Sequence, residues 1–498
     1  MWHRAYMQHL EDALRTQVPD VTMAYWDKTS RDTRKYGIPR SLTDEYVQLD
    51  EEMIPNPLLS YTFPVDIEPC ARFKRPKEEV ADFSKRAGTV TQRYPMSGFY
   101  ASKLERVAAI GQAHNDEMRK LYPKHEDRVR ALNSNVLFTL TGDVSEEACT
   151  HDPTLVGGGE TCGRLKNCLC APTFNILSNN NSAGKWFTSL EQPHDEMHLA
   201  VGGQDQRRSK KKGKHSYSKH SERPLIKNNE EDHKPITGSH GDMGENETAA
   251  FDPIFFFHHC NIDRMFWIWQ KKWGMTAKGS LEIDPTDLVG TYGQNPKGQG
   301  GNRAVPGTTR LTMDTPLQPF KATSGEYYTS RELVDLENQL GRTYSLGSLD
   351  QEDWPEQVEE QAGPELIFSV MNINKAYFLG SFKIIVFHKD ANTHELSLVG
   401  SVSVLSRWNL KRCQNCQIHL QRDVHVDLTP LKNKLAPADV TKHTFLVHFV
   451  DRSTSTVSTV CWRSYQLNGV YSTFVNVNTM MRCGVESDNV CVQTSLRT

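Results

Sequence analysis

Histidines at two places in the sequence have the spacing and the surroundings of metal ligands. His194 and His198 in PHDEMHLAVGG are four residues apart, so on a helix both imidazoles lie on one face, a turn apart. His258 and His259 are adjacent within FDPIFFFHHCNIDRMFWIWQ, one of the most apolar segments of the chain. A buried imidazole needs a partner for its ring nitrogens, and a metal ion is one such partner.

The residues alone leave other interpretations open. Two surface histidines by chance, or an apolar core with one hydrogen-bonded histidine, compete with a metal site. A zinc peptidase would carry Glu directly after the first histidine, whereas Asp195 occupies that place and Glu196 follows it. The adjacent pair together with the HxxxH segment favours a metal, with one histidine of the pair as ligand and the other packed or hydrogen-bonded. Neutral imidazoles without thiolates suit copper or zinc.

Helical patterns dominate the part of the chain that carries these histidines. Apolar residues recur at helical spacing near the start, which predicts a helix from Trp2 to about Arg15 with one buried face made by Trp2, Tyr6, Leu10, Ala13 and Leu14. Residues 101–122 and 183–200 are predicted to be further helices, separated by the loop VGGGETCGRLKNCLC. Residues 204–236 are polar and charged, which predicts a disordered insertion.

The pattern changes to period two after a Glu- and Pro-rich linker at 346–364. Segments such as YFLGSFKIIVFH and HTFLVHFV are rich in β-branched and aromatic residues, as strands are. We therefore predict a mainly α-helical bundle over residues 1–345, with long loops. A C-terminal domain that is a β-sandwich or is β-barrel-like follows over 365–498.

Composition narrows the class of protein. The net charge of −3 from 58 basic and 61 acidic residues argues against a nucleic-acid partner. No apolar run reaches the ~20 residues that span a bilayer, which predicts no membrane partner, and the start lacks a secretory signal. The 11 cysteines are an odd number, and reduced thiols in a cytoplasmic location are the expectation. Disulfides in an oxidising compartment are the alternative for four crowded cysteines, namely Cys149, Cys162, Cys168 and Cys170.

Three spaced elements together resemble a known family. PHDEMHLAVGG and GDMGENETAAFDPIFFFHHCNIDRMFWIWQ resemble the second copper site of tyrosinases and catechol oxidases. This is the type 3 copper family, which also includes molluscan haemocyanin. WHRAYMQHLEDAL resembles the helix with the last histidine of the first copper site, and MAYWDKTS resembles the turn after it. GIPRSLTDE and RELVDLENQLGRTYS are similar to the fungal branch, so the match covers most of residues 1–345.

The resemblance implies a ligand set for two copper ions. His194, His198 and His259 would bind one ion, and His3 would bind the other. Two further histidines of the family's first site precede the WHR element, where this chain has only Met1 and Trp2. We therefore expect a chain truncated at its N-terminus, with a chain that acts with one complete copper site or none as the alternative.

The resemblance also implies an activity. The two copper ions would use dioxygen to oxidise phenols and o-diphenols to o-quinones, as in melanin-type pigment synthesis, by monooxygenase or catechol oxidase chemistry. Glu191 and Asp195 resemble positions linked in the family to a held water and to proton transfer from the phenol. Asp263 is expected to orient Arg264 or a loop.

The C-terminal domain resembles the fungal extension that covers the active site until it is cleaved or displaced. Its Cys413 and Cys416 form a CxxC, which the family implies is for copper loading, with two ordinary thiols as the alternative. A latent oxidase is therefore the leading interpretation. A non-catalytic or vestigial copper-binding protein is the second, and an oxygen carrier of the haemocyanin type is less favoured. Oligomeric state stays open, with a homo-oligomer as one alternative.

Overall fold

Helices make up most of the first part of the described chain, and strands make up the last part. The structure is a computed structural model of the 498-residue chain. The residues that it describes are 1–67, 84–141, 161–203, 240–287, 310–350, 366–375, 378, 380–389, 396–407, 420–428 and 444–451, with the backbone of 457–463, 465–467, 470–473 and 491–496.

The helices and strands follow one another in two blocks. The described helices are α1 (Trp2–Arg15), α2 (Arg31–Tyr36), α3 (Glu105–Leu121), α4 (His125–Thr141), α5 (Thr161–Asn167), α6 (Phe174–Ser178), α7 (Asn180–Ala183), α8 (Glu191–Gly202) and α9 (Ile254–Lys272). Four short strands lie among or after them: β1 (Tyr46–Leu49), β2 (Glu52–Pro55), β3 (Pro316–Lys321) and β4 (Tyr327–Thr329). The C-terminal strands are β5 (Leu366–Asn374), β6 (Phe382–Lys389), β7 (Leu396–Val404), β8 (Gln421–Asp427), β9 (Thr444–Asp451), β10 (Val457–Arg463), β11 (Tyr465–Leu467), β12 (Val470–Thr473) and β13 (Cys491–Leu496).

Helix α1 begins and ends where the sequence predicts, but the prediction of its buried face is wrong. The buried residues of this helix are Arg4, Ala5, Met7 and Glu11, whereas Trp2 and Leu14 are among the exposed apolar residues. Two charged residues lie inside because each finds a partner there. Glu11, for example, accepts a hydrogen bond from the backbone N–H of Met23 at 2.9 Å. Apolar spacing could not show this.

A buried ion pair joins α1 to α9. Arg4 Nε lies 2.7 Å from Asp263 Oδ1, and its Nη1 donates to the carbonyl of Leu333 at 2.8 Å. The second oxygen of Asp263 accepts from the Tyr344 hydroxyl at 2.7 Å. Of the two partners expected for Asp263, a loop is confirmed by the Tyr344 contact, whereas Arg264 is wrong because it pairs with Asp350 instead.

Helix α8 packs closely against the chain that precedes α9. Its last residue, Gly202, is followed by Gly203, which has a φ of 88° and adopts the left-handed conformation that closes a helix. A Cβ on Gly202 would lie 1.8 Å from the backbone nitrogen of Gly244, so only glycine permits this approach. Met243, next to Gly244, is thereby held beside the helix.

The loop predicted to separate two helices is partly helical. Thr161–Asn167 forms α5, and a 3₁₀ turn follows it over Cys168–Cys170. The sequence also missed α4 as a separate helix. No disulfide joins any two of the described cysteines Cys162, Cys168, Cys170 and Cys260. Cys149 lies outside the described residues.

The C-terminal strands form two antiparallel sheets that share a core. The hydrogen-bonded orders are β10-β9-β6-β7 and β11-β12-β13-β5-β8. One apolar cluster includes residues of β5 and β8 from one sheet and of β6, β7 and β9 from the other, for example Phe368, Val426, Ile384, Val402 and Val447. The β-sandwich alternative is thus confirmed together with the helical core, and the described strands close no barrel.

The predicted domain boundaries stay predictions. The insertion at 204–236 and most of the linker lie outside the described residues. At the start of that linker, Leu349 is buried with Trp269 of α9 in an apolar cluster of the helical core. No described helix combines the length and the apolar character needed to cross a membrane.

The ion pair between Arg4 and Asp263 should contribute strongly to stability. Replacing Asp263 with Ala leaves the Arg4 guanidinium buried without its carboxylate, so we expect the free energy of unfolding to fall by about 3–5 kcal/mol. Urea denaturation measures this change. The control is Asp66→Ala, which removes a solvent-exposed pair with Lys103 and should change stability much less. Equal losses in both variants would contradict this account.

Candidate metal centre

Four histidine side chains from α8 and α9 meet at one place in the helical core. His194, His198, His258 and His259 each offer a ring nitrogen, and these nitrogens lie within 4.8 Å of one another. His198, His258 and His259 are buried, and His194 is half-buried. Among the described residues, this is the one group of three or more candidate ligands with such spacing.

Two of the distances between these nitrogens match the spacing of ligands to a single ion, and the third lies within 4.8 Å. The Nε2 atom of His198 lies 3.1 Å from Nε2 of His194 and 3.3 Å from Nε2 of His259. Nitrogens bound at about 2.0 Å to one ion stand about 3.3 Å apart when the bond angle is tetrahedral. The three rings expected from the sequence therefore converge on a common point.

In two of the rings, a hydrogen bond at Nδ1 orients the ring so that Nε2 faces the other histidines. The Nδ1 atom of His198 lies 2.8 Å from the carbonyl oxygen of Met243. Since a carbonyl can only accept, Nδ1 carries the proton and Nε2 keeps its lone pair. The Nδ1 atom of His194 lies 2.9 Å from Oδ1 of Asp195, which selects the same tautomer. Such outer partners are usual for metal-binding histidines.

His3 and His258 complete the surroundings of this point. The His3 ring, from α1, stacks on the ring of His259 with centroids 4.0 Å apart and an interplanar angle of 16°. His3 thus lies next to the cluster, although it does not belong to the group of four. Both ring nitrogens of His258 are buried and have no hydrogen-bond partner among the residues that the structure describes. Sequence reasoning missed this because it selected one histidine of the adjacent pair.

Burial keeps these imidazoles neutral, as metal ligands must be. Desolvation lowers the pKa of His194 to about 4. It lowers the pKa of His3, His198, His258 and His259 well below the usual value, and neighbouring histidines add to the effect. Burial also raises the pKa of the Cys260 thiol, next to His259, to about 12. A site of neutral imidazoles without a thiolate fits copper.

Asp195 connects the cluster to the C-terminal domain. Its Oδ1 is hydrogen-bonded to Nδ1 of His194, and its Oδ2 accepts a hydrogen bond from the backbone N–H of Leu405 at 3.3 Å. Burial raises the pKa of Asp195 to about 7, while the Leu405 N–H and the positive charges of Arg422 and Lys375 oppose that rise. Every opposing group comes from the C-terminal domain.

Glu191 lies at the first position of α8. Its side chain is exposed, and its Oε2 accepts from the backbone N–H of Asn180 at 2.8 Å, where α7 begins. This hydrogen bond is the usual contact of a carboxylate with a backbone N–H at the start of a helix. Its link to a held water stays a prediction. The CxxC cysteines Cys413 and Cys416 lie outside the described residues.

One buried cation near the cluster was missed from the sequence. Lys28 lies within the MAYWDKTS segment, and its Nζ donates to the His258 carbonyl at 3.3 Å and to Asn261 Oδ1 at 3.1 Å. Burial lowers the pKa of Lys28 to about 7. A lysine in a short polar run gives no sequence signal of burial, because its partners lie more than 200 residues away.

Comparison with known proteins assigns the family. The family model for the common central domain of tyrosinase matches residues 1–272. The chain is 39% identical over 449 residues to tyrosinase HcTyr2 of a Hahella species, covering 87% of this chain and 74% of that protein. It is 34% identical over 483 residues to a tyrosinase of Aspergillus oryzae, covering 91% and 80%.

A solved structure agrees with this match. The tyrosinase of Burkholderia thailandensis at low pH superposes with a TM-score of 0.71 and 34% identity, covering 91% of this chain and 80% of that one. The chain therefore belongs to the tyrosinase family of type 3 copper proteins. The resemblance found in the sequence is confirmed, and with it a tyrosinase-like oxidase with copper as its cofactor.

Removing one converging ring should remove the metal. In the variant His198→Ala two of the three inward nitrogens remain, so we expect copper content after loading and desalting to fall at least tenfold relative to the unaltered protein. The matched control is His9→Ala, on α1, whose ring packs against Phe320 and Tyr328 and which should retain copper. Full copper content in His198→Ala would contradict the site.

Acid should destabilise the metal-free protein through the same histidines. Their pKa values are lowered in the folded state, so below the unfolded value of about 6.5 the unfolded chain binds more protons. Stability from these rings is therefore complete above pH 6.5 and is lost as the pH falls towards about 4, the pKa of His194. The raised pKa of Asp195 has the opposite effect on stability, but it is one group against several histidines.

Urea midpoints measured at pH 7, 6 and 5 test this expectation. The midpoint should fall with pH, and it should fall less steeply in His198→Leu, which lacks one buried imidazole. In the control His9→Ala, the urea midpoint should change with pH as steeply as in the unaltered protein. A midpoint that rises as the pH is lowered from 7 to 5 would show that the rings are not held neutral.

Proposed function

We propose that this protein is a latent copper-dependent oxidase that converts phenols and o-diphenols to o-quinones with dioxygen. The observation that carries the proposal is the convergence of three Nε2 atoms, with 3.1 and 3.3 Å between them, on the inner faces of α8 and α9. Quinones formed in this way polymerise to melanin-type pigments, which is the proposed use of the reaction. A cytoplasmic location stays part of the proposal.

The histidines divide between two ions in this proposal. His194, His198 and His259 hold one copper ion, and His3 belongs to the second. Copper, when bound at both places, supplies the electrons that reduce dioxygen. The protein keeps the rings neutral by burial, and the Met243 carbonyl fixes the tautomer of His198 so that its lone pair on Nε2 faces the other rings.

Asp195 is the proposed acceptor for the proton of a phenol. Its carboxylate lies beside His194 at the edge of the cluster, and burial brings its pKa to about 7, where a group both accepts and releases protons near neutral pH. Glu191, one turn earlier on α8, is the proposed holder of a water molecule. Its exposed carboxylate can be approached from solvent.

Latency is supported by contacts between the C-terminal sheets and the start of α8. The chain just after β7 contacts Asp195 through the N–H of Leu405. Arg164 of α5 donates to the carbonyl of Ser401 in β7 at 2.9 Å. In this arrangement the carboxylate proposed to receive the substrate proton is already occupied, so the domain must shift before a phenol is processed.

A second candidate function is copper binding without catalysis. It is favoured by the environment of the other histidines in the described part of the chain. His114 Nε2 lies 2.8 Å from the Pro95 carbonyl, and His125 Nε2 lies 2.7 Å from the Thr43 carbonyl. In both rings Nε2 is therefore already bound to a backbone carbonyl. The haemocyanin alternative has no comparable support.

Copper content and quinone formation separate these candidates. For the oxidase we expect two copper ions per chain. The intact protein should oxidise 4-tert-butylcatechol slowly at most. Limited proteolysis that releases the C-terminal domain should raise this rate at least tenfold. His198→Ala, treated in the same way, should form no quinone. One copper ion per chain without turnover before or after proteolysis would favour the non-catalytic function and contradict the oxidase.

A further inference from the structure

The contacts between β7 and α8 include more than the hydrogen bond from Leu405 to Asp195. Arg164, buried in α5, forms an ion pair with Glu196 of α8 and donates to Ser401 of β7. Thr161 donates its hydroxyl to the other oxygen of Glu196 at 2.6 Å. Glu196 lies between the two histidines of α8, so the strand and the ligand-bearing helix are tied at the level of the cluster.

The end of β7 reaches the cluster through one carboxylate. Asp195 has one oxygen 2.9 Å from Nδ1 of His194 and the other 3.3 Å from the backbone nitrogen of Leu405. A single carboxylate thus bridges a ring of the metal centre and a backbone N–H of the C-terminal domain. Asp195 is only 7 % exposed, which limits the competition from water for these hydrogen bonds.

The position of the Leu405 N–H is itself fixed. The hydroxyl oxygen of Ser381, just before β6, accepts from the backbone N–H of Ser406 at 3.0 Å. It also lies 3.3 Å from the carbonyl oxygens of Gly244 and of Ser406, and donates its single proton to one of them. Ser381 and Ser406 are both buried, so the hydrogen bond between them holds the turn that presents Leu405 to the start of β6.

We propose that the backbone N–H of Leu405 is a positioning group of the metal centre, which acts through Asp195 on the ring of His194. A carboxylate held at one oxygen can rotate and carry the imidazole with it. Held at both oxygens, it keeps the His194 ring in one plane with Nε2 directed at the common point. This inference rests on the proposed metal centre and deepens it, because the C-terminal domain both covers the centre and shapes it.

Metal binding and docking of the domain are then coupled in both directions. If the docked domain raises metal affinity by some factor, bound metal must strengthen docking by the same factor. Release of the domain frees the second oxygen of Asp195 and loosens His194 in one step. The contact therefore assigns to the C-terminal domain a role in raising metal affinity while the domain is docked.

The test uses the full chain and Co²⁺, whose visible absorption reports the geometry of its ligands. Leu405→Pro removes the N–H, and Leu405→Ala is the matched control that shortens the side chain but keeps the N–H. We expect the dissociation constant for Co²⁺, measured by competition with a chelator, to rise about tenfold in Leu405→Pro, at the lower end of the effect of losing a partner of a metal-bound histidine. Leu405→Ala should bind within about twofold of the unaltered protein and keep its absorption bands, whereas the bands of Leu405→Pro should shift.

Equal Co²⁺ affinity and identical spectra in the two variants would overturn the inference and leave the proposed function intact. Absence of Co²⁺ binding by the unaltered protein would contradict the metal centre and the inference together. A purely structural role of the turn would alter the urea midpoint of Leu405→Pro without a change in the Co²⁺ spectrum, which also counts against the inference.

A second measurement keeps the inference testable should Leu405→Pro fail to fold. Hydrogen exchange of the unaltered protein, followed by mass spectrometry of overlapping peptides, reports the amide of Leu405 directly. Coupling requires that saturating Co²⁺ slow the exchange of this amide, by at least about threefold. Unchanged exchange at Leu405 on addition of Co²⁺ would refute it.

Discussion

The burial of several neutral imidazole rings around one point is the constraint on which the rest of the structure depends. A ring nitrogen without a partner is costly in a dry core, and a charged ring is costlier still. Both nitrogens of His258 and Nδ1 of His259 have no hydrogen-bond partner among the described residues. Such groups destabilise the metal-free protein, whereas the lone pairs on Nε2 of His194, His198 and His259 are what a metal ion at the common point would bind.

The surrounding scaffold holds the three helices that carry the rings at fixed distances. Arg4 follows His3 in α1, and Asp263 lies one turn after His259 in α9, so their 2.7 Å ion pair joins the two histidine-bearing helices directly. On the other side, the glycine contact between Gly202 and Gly244 brings the Met243 carbonyl within 2.8 Å of His198. Positions that look structural in the sequence thus set the geometry of the cluster.

Much of the fold and of the centre follows from the sequence, and the exceptions share a cause. The limits of α1, the ligand spacing on α8 and the period-two strands of the sandwich are local patterns, which a sequence shows directly. The buried face of α1 was mispredicted because Arg4 lies inside only through a partner 259 residues away. The burial of Lys28 and the contact between Leu405 and Asp195 were not predicted for the same reason. No local pattern indicates a pairing between residues 210 positions apart.

X-ray absorption at the copper edge of the Cu(I)-loaded protein tests the central claim most directly. The account predicts nitrogen neighbours at about 2.0 Å, with the outer scattering of imidazole rings and no sulfur neighbour. Sulfur at about 2.3 Å, or copper bound without imidazole scattering, would place the metal on thiols or on the surface, and would contradict a centre built from the histidines of α8 and α9.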